Sequence, residues 1–383
     1  MAIKVKIERQ KMKNILVVFG TRPEVVKLAP VILELKKYPQ KYNVIICNTE
    51  QQKELSNQTL SFFGLKADVN LDVMRPNQTL AGVQSRILEK LSDVFATHQI
   101  DATIVQGDTM TVFCGALVSF YNKVPVFHVE AGLRSYDLFE PFPEEAMRQM
   151  TARITDLHFA PTQKSVEALK QEGIKDEKII LTGNTVIDAL SCLSEPVLQK
   201  AEEDLMQKGI ALNDKLILIT VHRRENHGER LDKILSTIRQ LTQKYNDHQF
   251  VLPVHPNPNV KEKVYNALGT LPNVILTSPL DYPQLVTLMK NTKLVLTDSG
   301  GIQEEAPTFG NPVLVMRYET ERMEGVEAGF AKLVGADEYK IMTEVDVVLS
   351  QDKSRTRKDG SKNPYGDGHA AQKIEMQLNH YWK

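Results

Sequence analysis

A glycine-rich turn between an apolar strand and a helix-like segment offers the clearest chemistry in this sequence. The strand candidate Leu294–Thr297 ends at Asp298, and Ser299, Gly300 and Gly301 follow. Backbone N–H groups in such a turn, together with a helix N-terminus, bind phosphate well. Glu305, in the first helical turns, can accept hydrogen bonds from sugar hydroxyls. The pattern predicts a site for a nucleotide diphosphate joined to a sugar.

A second polar turn follows the first strand candidate, Asn14–Phe19. Arg22 lies in this turn, and Lys27 lies one helical turn further on. Two cations near a helix N-terminus oppose the helix dipole unless an anion is bound there, so they indicate an anion site. The alternative is a capped helix with a solvated basic face. The turn lacks the Gly-x-Gly-x-x-Gly pattern of dinucleotide-binding proteins.

Two carboxylates follow later strand candidates. Asp108 comes after Ala102–Val105, where it could be a helix N-cap or a catalytic group. Glu130 closes the apolar strand Val124–Val129. Burial of an unpaired carboxylate costs several kcal/mol, so Glu130 favours a functional role.

A third carboxylate, Glu144, lies four residues before Arg148. At this spacing the two side chains share one face of a helix. A surface ion pair is the simplest interpretation, and such a pair contributes little to stability.

Two histidines follow strands in the second half of the chain. His222 precedes two arginines, whose charge favours the neutral imidazole, as a base or a phosphate ligand requires. His255 ends the next strand in a similar way. A core histidine bonded to a backbone carbonyl is the alternative for His222. Cysteine and histidine spacings typical of metal sites are absent from the sequence, which predicts no metal and no cofactor.

Composition narrows the class of protein. The chain has 383 residues, 42% of them hydrophobic and 25% charged, as in globular proteins with two ordinary domains. A net charge of −1 gives no general attraction for nucleic acid or anionic membranes. No apolar run reaches the roughly 18 residues of a membrane span. Three widely spaced cysteines fit a reducing cytoplasm.

Short β-branched runs alternate with helical patterns in two series, which predicts two doubly wound α/β domains facing across a cleft. Ligands bind beyond the carboxyl ends of strands in such sheets. The predicted organisation is an N-terminal extension (1–13), an N-terminal Rossmann-like domain (14–187), a helical connection (188–214), a C-terminal nucleotide-binding Rossmann-like domain (215–360) and a C-terminal helix (361–383). We expect that helix to pack on the N-terminal domain.

Nearly the whole chain resembles the non-hydrolysing UDP-N-acetylglucosamine 2-epimerases, which have the GT-B fold. The resemblance depends on several motifs that occur in order: Gly20–Glu24, Gly107–Thr109, His128–Arg134, Pro143–Glu145, Gly183–Thr185, His222–Asn226, Asp298–Ala306 and Asn363–Gly368.

The resemblance implies that the chain interconverts UDP-GlcNAc and UDP-ManNAc, as a cytoplasmic homodimer that supplies surface polysaccharide. It implies a catalytic set of Asp108, Glu130, Glu144 and His222. It also implies a substrate-binding set of Arg22, Lys27, Arg148, His255, Ser299, Gly300, Gly301, Glu305 and Arg322.

Some positions depart from the usual family pattern, among them Met147, Val221 and the segment Thr49–Gln52. That segment borders a second UDP-GlcNAc site in some relatives, so the resemblance implies Gln51 and Glu54 as candidate allosteric residues. None of the departures removes a proposed catalytic group.

The family reaction eliminates UDP to form 2-acetamidoglucal and then adds UDP back with the proton on the opposite face of C2. Inversion requires acid and base groups that reach both faces, which suits several carboxylates. The alternatives are a hydrolysing epimerase, a GT-B glycosyltransferase, and a nucleotide-sugar-binding regulator without activity.

Overall fold

The structure is a computed structural model that describes residues 11–350 and 363–383, apart from the Arg224 side chain. The chain forms two compact units. The first comprises Met1–Ala189 and Gly368–Lys383, and the second comprises Leu190–Asp367. Residues 1–10 of the predicted N-terminal extension, and residues 351–362 near the predicted domain boundary at 360, lie outside the described residues.

The first unit contains a seven-stranded parallel sheet in the order β3-β2-β1-β4-β5-β6-β7. Most of its strands are rich in β-branched residues and almost wholly buried, as expected for a parallel sheet covered on both faces. The strands are β1 Lys13–Phe19, β2 Tyr42–Asn48, β3 Val69–Asn70, β4 Ala102–Gln106, β5 Val126–Val129, β6 Leu157–Ala160 and β7 Ile179–Leu181.

Helices connect these strands and cover the sheet. They are α1 Arg22–Lys36, α2 Lys53–Phe62, α3 Leu80–Thr97, α4 Met110–Tyr121, α5 Glu144–Arg153, α6 Gln163–Gln171 and α7 Thr185–Cys192, which crosses the boundary between the units. Cys47 and Cys114 are free thiols within the core, and burial raises the pKa of each to about 12.

The second unit repeats the same topology with six parallel strands in the order β10-β9-β8-β11-β12-β13. Its strands are β8 Leu216–Thr220, β9 Gln249–Pro253, β10 Val274–Thr277, β11 Leu294–Thr297, β12 Val313–Val315 and β13 Ala331–Leu333. Its helices are α8 Glu195–Gln207, α9 Glu229–Lys244, α10 Pro258–Leu268, α11 Tyr282–Asn291, α12 Gly300–Glu305, α13 Met323–Glu327 and α14 Glu338–Ser350. None of the described helices is long and apolar enough to cross a membrane.

The predicted α/β class with two doubly wound units is confirmed. Two edge strands, β3 and β13, were not predicted. β3 has only two residues, and β13 is a three-residue segment with a central lysine. Neither has the apolar run that marks the central strands.

The final helix, α15 (Ala370–Tyr381), packs against α1 in the first unit. Glu375 on this helix accepts hydrogen bonds from Tyr42 Oη at 3.1 Å and Lys41 Nζ at 3.2 Å. The Asp188 carboxylate accepts the Ala370 and Ala371 backbone N–H groups at 3.2 and 2.8 Å, and so caps the helix. Trp382, the only tryptophan of the chain, lies with its ring centroid 5.9 Å from that of Phe127.

The loop after β5 passes close to α6 at Gly132. This glycine has φ +93°, and a Cβ atom placed on it would lie 2.4 Å from the Ser165 carbonyl oxygen. A side chain at this position would meet both an unfavourable backbone conformation and a clash with backbone.

We expect Gly132→Ala to destabilise the first unit by roughly 2–4 kcal/mol, because strain and clash act together. Gly173→Ala is the matched control: φ is +80° there, but no atom lies within 4 Å of the added Cβ, so the cost is about 1 kcal/mol. Urea unfolding followed by Trp382 fluorescence measures both. Equal losses in the two variants would contradict the close approach at Gly132.

Candidate functional site

The predicted site residues of each unit are concentrated at the carboxyl ends of its strands. The strand order reverses between β1 and β4 in the first unit and between β8 and β11 in the second. Loops that follow such neighbouring strands diverge to opposite faces of the sheet and leave a crevice where ligands bind.

Glu24 fixes the turn between β1 and α1. Its buried carboxylate accepts the backbone N–H groups of Gly20 at 3.0 Å and Thr21 at 2.7 Å. It also accepts the Thr109 hydroxyl at 2.7 Å, which ties this turn to the loop after β4. Burial raises the pKa of Glu24, and these hydrogen bonds partly offset the shift.

The candidate allosteric segment contacts the same turn. Gln52 Oε1 accepts the Arg22 backbone N–H at 3.0 Å, and Gln51 Oε1 accepts the Thr111 hydroxyl at 2.6 Å. Glu54 is exposed in the first turn of α2. The allosteric role of Gln51 and Glu54 stays a prediction.

Glu130 lies directly after β5 in a left-handed backbone conformation, with φ 62°. Its buried carboxylate forms an ion pair with Lys27 and accepts a hydrogen bond from the Gln106 side-chain amide. Asn184 Nδ2 donates to the same carboxylate at 3.4 Å. Lys27, predicted from the family resemblance to bind UDP, therefore contacts a proposed catalytic carboxylate.

Asp108 follows β4 and forms an ion pair with Arg148 of α5. Arg148 Nη1 also lies 3.0 Å from Glu145 Oε2, so one guanidinium joins two carboxylates. Glu145 further accepts hydrogen bonds from Ser135 N at 3.0 Å, Tyr136 N at 3.2 Å and Gln149 Nε2 at 2.8 Å. The fully buried Glu145 thus holds both Arg148 and the preceding loop.

The simplest interpretation of Glu144, a surface ion pair with Arg148, is wrong. Arg148 pairs with Glu145, three residues before it, and with Asp108. Glu144 is the first residue of α5 and is half-buried, with no hydrogen-bond partner among the described side chains. The catalytic role of Glu144 stays a prediction.

Two buried histidines lie side by side beneath these loops, since His128 of β5 is in register with His158 of β6. His128 Nε2 lies 2.7 Å from the Gly107 carbonyl oxygen, next to Asp108. Burial lowers the pKa of His128 to about 4 and that of His158 to about 3. Both His158 ring nitrogens are buried, and neither has a hydrogen-bond partner among the described residues.

In the second unit, Asp298 joins the loops after β8 and β11. Its fully buried carboxylate accepts the backbone N–H groups of His222 at 3.1 Å and Arg223 at 2.9 Å. Asn226 Nδ2 donates to it at 3.0 Å. Asp298 therefore sets the conformation of the loop that carries His222.

His222 and His255 come together, with stacked rings whose centroids are 6.0 Å apart. Burial is the main cause that lowers the pKa of His222, whereas the Asp298 carboxylate, with Oδ1 3.3 Å from Nδ1, opposes the shift. Arg223 and His255 lower the pKa further. The neutral form expected from the adjacent arginines is thus favoured mainly by burial.

The turn after β11 leads into α12, a helix of six residues that begins after Ser299. Arg322 lies against this turn: a Cβ atom on Gly300 would be 2.8 Å from its Cζ. Arg322 Nε donates to Glu304 Oε1 at 3.0 Å, and the guanidinium also pairs with Glu321. Glu305 is buried within the helix, and Gly301 lies close to its carboxylate.

Within residues 11–350 and 363–383, no group of three or more His, Cys, Asp or Glu side chains could hold a metal ion. The region around Asp108, Glu130 and Arg148 is organised by carboxylate–cation pairs, which suits proton transfer near an anionic substrate.

Comparison with known proteins shows the family of the chain. A sequence model described as UDP-N-acetylglucosamine 2-epimerase matches residues 34–379. The chain belongs to the UDP-N-acetylglucosamine 2-epimerase family. A UDP-N-acetylglucosamine 2-epimerase of Neisseria meningitidis is 44% identical over 367 residues, which cover 94% of this chain and 98% of that protein.

Solved structures of epimerases match over a similar length. The N. meningitidis UDP-GlcNAc 2-epimerase bound to UDP-GlcNAc is 44% identical, with a TM-score of 0.86 over 96% of this chain and 100% of that chain. The Methanocaldococcus jannaschii enzyme in complex with UDP-GlcNAc and UDP is 33% identical, with a TM-score of 0.79 over 96% and 99% of the two chains.

Several residues that organise this epimerase-family site were not singled out from the sequence. Glu24 had a detectable signal, because Thr21 and Glu24 have the spacing of a capping box. From the sequence, Asp298 was identified only as part of the glycine-rich turn that follows Leu294–Thr297. Glu145 and Asn184 lie within motifs that carry the family resemblance, but their own roles were not identified, and Gln106 lacked a signal, because the contacts of Gln106 and Asn184 with Glu130 join segments distant in sequence.

We expect His158 to make the first unit sensitive to acid. In the unfolded chain its pKa is near 6.5, whereas in the folded state it is about 3, so the unfolded state binds more protons between these values. The free energy of unfolding therefore falls as pH is lowered from 6.5, by about 2 kcal/mol at pH 4.5.

His158→Leu should remove this contribution, and the exposed His380→Leu should retain it. Urea unfolding at pH 6.5 and 4.5, followed by Trp382 fluorescence, gives the difference. An unchanged acid sensitivity in His158→Leu would show that His158 does not carry the effect.

Proposed function

We propose that this protein catalyses the reversible, non-hydrolysing epimerisation of UDP-GlcNAc at C2 to give UDP-ManNAc. The observation that carries the proposal is the placement of Asp108 and Glu130 at the carboxyl ends of the neighbouring strands β4 and β5. Each carboxylate lies against a cation, Arg148 for Asp108 and Lys27 for Glu130.

The substrate chemistry calls for such a group of acids and bases. The C2 hydrogen lies beside an N-acetyl group without a carbonyl carbon to acidify it. Elimination avoids a free carbanion: a base takes the C2 proton, the C–H electron pair forms the C1=C2 bond, and UDP leaves with the C1–O electrons. Re-addition of UDP to 2-acetamidoglucal, with a proton delivered to the other face of C2, completes the inversion.

In this proposal the first unit supplies the proton-transfer groups. Asp108, Glu130 and Glu144 act as acids and bases around C2. Arg148 holds Asp108 in place and offers positive charge near the leaving diphosphate. Arg22, at the start of α1, adds another cation.

The second unit holds UDP. Ser299, Gly300 and Gly301 present the turn after β11 to the diphosphate, while Glu305 accepts hydrogen bonds from the ribose. His255 and Arg322 contact the nucleotide. His222, kept neutral mainly by burial, completes the catalytic set as a donor to the diphosphate.

Retention of UDP and the glucal between the two half-reactions separates this activity from hydrolysis. A site that excludes water during that interval returns UDP to the sugar. The proposal also includes a cytoplasmic homodimer whose product serves surface polysaccharide synthesis, which is supported by the family resemblance alone.

The test is incubation with UDP-GlcNAc in D2O followed by proton NMR. We expect UDP-ManNAc to appear and deuterium to enter C2 of both nucleotide sugars, because the returning proton comes from solvent. Accumulation of free ManNAc would show a hydrolysing epimerase instead. An absence of exchange at C2 would reject epimerisation and leave transfer to an acceptor to be assayed.

Asp108→Asn and Glu130→Gln should each lower turnover at least roughly a hundredfold, as expected for loss of a general acid or base. Glu89→Gln, on the exposed surface of α3, is the control and should retain wild-type turnover. The same NMR assay without D2O measures all three variants. Turnover near wild type in either site variant would exclude that residue from proton transfer.

A further inference from the structure

We propose that Gln106 and Asn184 are positioning residues that hold the Glu130 carboxylate for proton transfer. Together with Lys27 they form what we call the Glu130 clamp. The inference rests on the proposed function and adds to it two neutral residues whose contacts with Glu130 make them part of the site.

The contact with Gln106 follows from the sheet register. Gln106 is the last residue of β4 and is paired with Val129, so its side chain lies beside the residue that follows β5. The Gly107 backbone N–H donates to the Val129 carbonyl at 3.1 Å and holds the two strand ends together. Gln106 is 3% exposed, and its amide nitrogen donates to Glu130 Oε2.

Asn184 reaches Glu130 from the start of α7. Its Oδ1 accepts the Val186 backbone N–H at 3.0 Å, as a helix-capping residue does. This bond fixes the orientation of the amide, so that Nδ2 faces Glu130 Oε1 at 3.4 Å. One side chain therefore caps a helix and positions a carboxylate.

The two oxygens of the Glu130 carboxylate have different partners. Glu130 Oε1 contacts Lys27 and Asn184, and Oε2 contacts Gln106. The donors come from α1, from β4 and from the beginning of α7, so movement of any one element leaves the other two contacts in place. With the backbone of Glu130 held at φ 62°, the carboxylate has a defined direction.

The helices, strands and loops around Glu130 also carry other titratable groups. His128 on β5 and His158 on β6 are neutral near pH 7 because burial lowers the pKa of each. Asp108 follows β4, Arg134 follows β5, and Arg148 lies on α5. Of these, Asp108 is bound to Arg148, and Arg134 is bound to Glu172 at 2.5 Å. Lys27 contacts Glu130 directly.

Two isosteric substitutions test the clamp. Gln106→Glu and Asn184→Asp each replace a donor amide by a carboxylate that faces Glu130 without changing its shape. A second carboxylate at this distance disfavours ionisation of the pair, so the acid limb of the kcat profile should move upward by about one pH unit. We expect kcat to fall at least about tenfold, while KM changes less than roughly threefold.

Further variants separate positioning from folding. Asp remains a good helix cap, so Asn184→Asp should match the urea unfolding midpoint of the wild type at a pH that protonates the added carboxyl, and should fall below it only where both carboxylates ionise. Gln106→Met, which removes the donor without adding charge, should lower kcat and move the acid limb upward by less than Gln106→Glu does. Gln99→Glu, an exposed change before the amino end of β4, should match wild type in kcat and in pH profile.

A measurement independent of activity keeps this inference separate from the proposed function. In protein labelled with 13C at the glutamate carboxyl carbon, the Glu130 signal is identified by its absence from Glu130→Gln. Asn184→Asp should raise the titration midpoint of that signal. An unchanged midpoint together with an unchanged kcat profile would overturn the clamp, whether or not UDP-GlcNAc is the substrate. Failure of the wild type on UDP-GlcNAc with a shifted midpoint would reject only the proposed function.

Discussion

A buried carboxylate that accepts backbone N–H groups at the end of a central strand organises each unit. In the first unit Glu24 accepts the N–H groups of Gly20 and Thr21 after β1, and through Thr109 it reaches the loop after β4. In the second unit Asp298, after β11, accepts the N–H groups of His222 and Arg223 after β8. Because unsatisfied buried N–H groups are costly, these bonds restrict both loops at the point where the strand order reverses.

The proton-transfer groups depend on that restriction. Asp108 precedes Thr109, which is bound to Glu24, and Glu130 is held by residues from three different elements. Arg148 is in turn shared between the carboxylates of Asp108 and Glu145. These contacts fix the direction of each carboxylate, and a preorganised acid–base group needs that fixed direction.

The parts of this arrangement that could be predicted from sequence are those encoded locally. Apolar β-branched runs identified the central strands, and polar residues at their ends identified Asp108, Glu130 and His222 as site candidates. The helical spacing of Glu144 and Arg148 was misleading, because at position 145 a second carboxylate is available three residues from the arginine and points inward. Gln106 and Asn184 acquire their roles only when β4, β5 and α7 are brought together, and an amide gives no sign of its partner in the linear sequence.

The position of α15 in the chain has a consequence for synthesis on the ribosome. The helix that packs on α1, and whose N-terminus is capped by Asp188, is made only after the whole second unit has been translated. Domains usually fold as they emerge, in order from the N-terminus. Here the nascent first unit lacks the contacts that the last helix makes with the Tyr42 hydroxyl and that Trp382 makes with the Phe127 ring while roughly 180 residues are added, at about 5–20 residues per second. The surface that α15 covers is thus exposed for on the order of ten seconds or more in each newly made molecule.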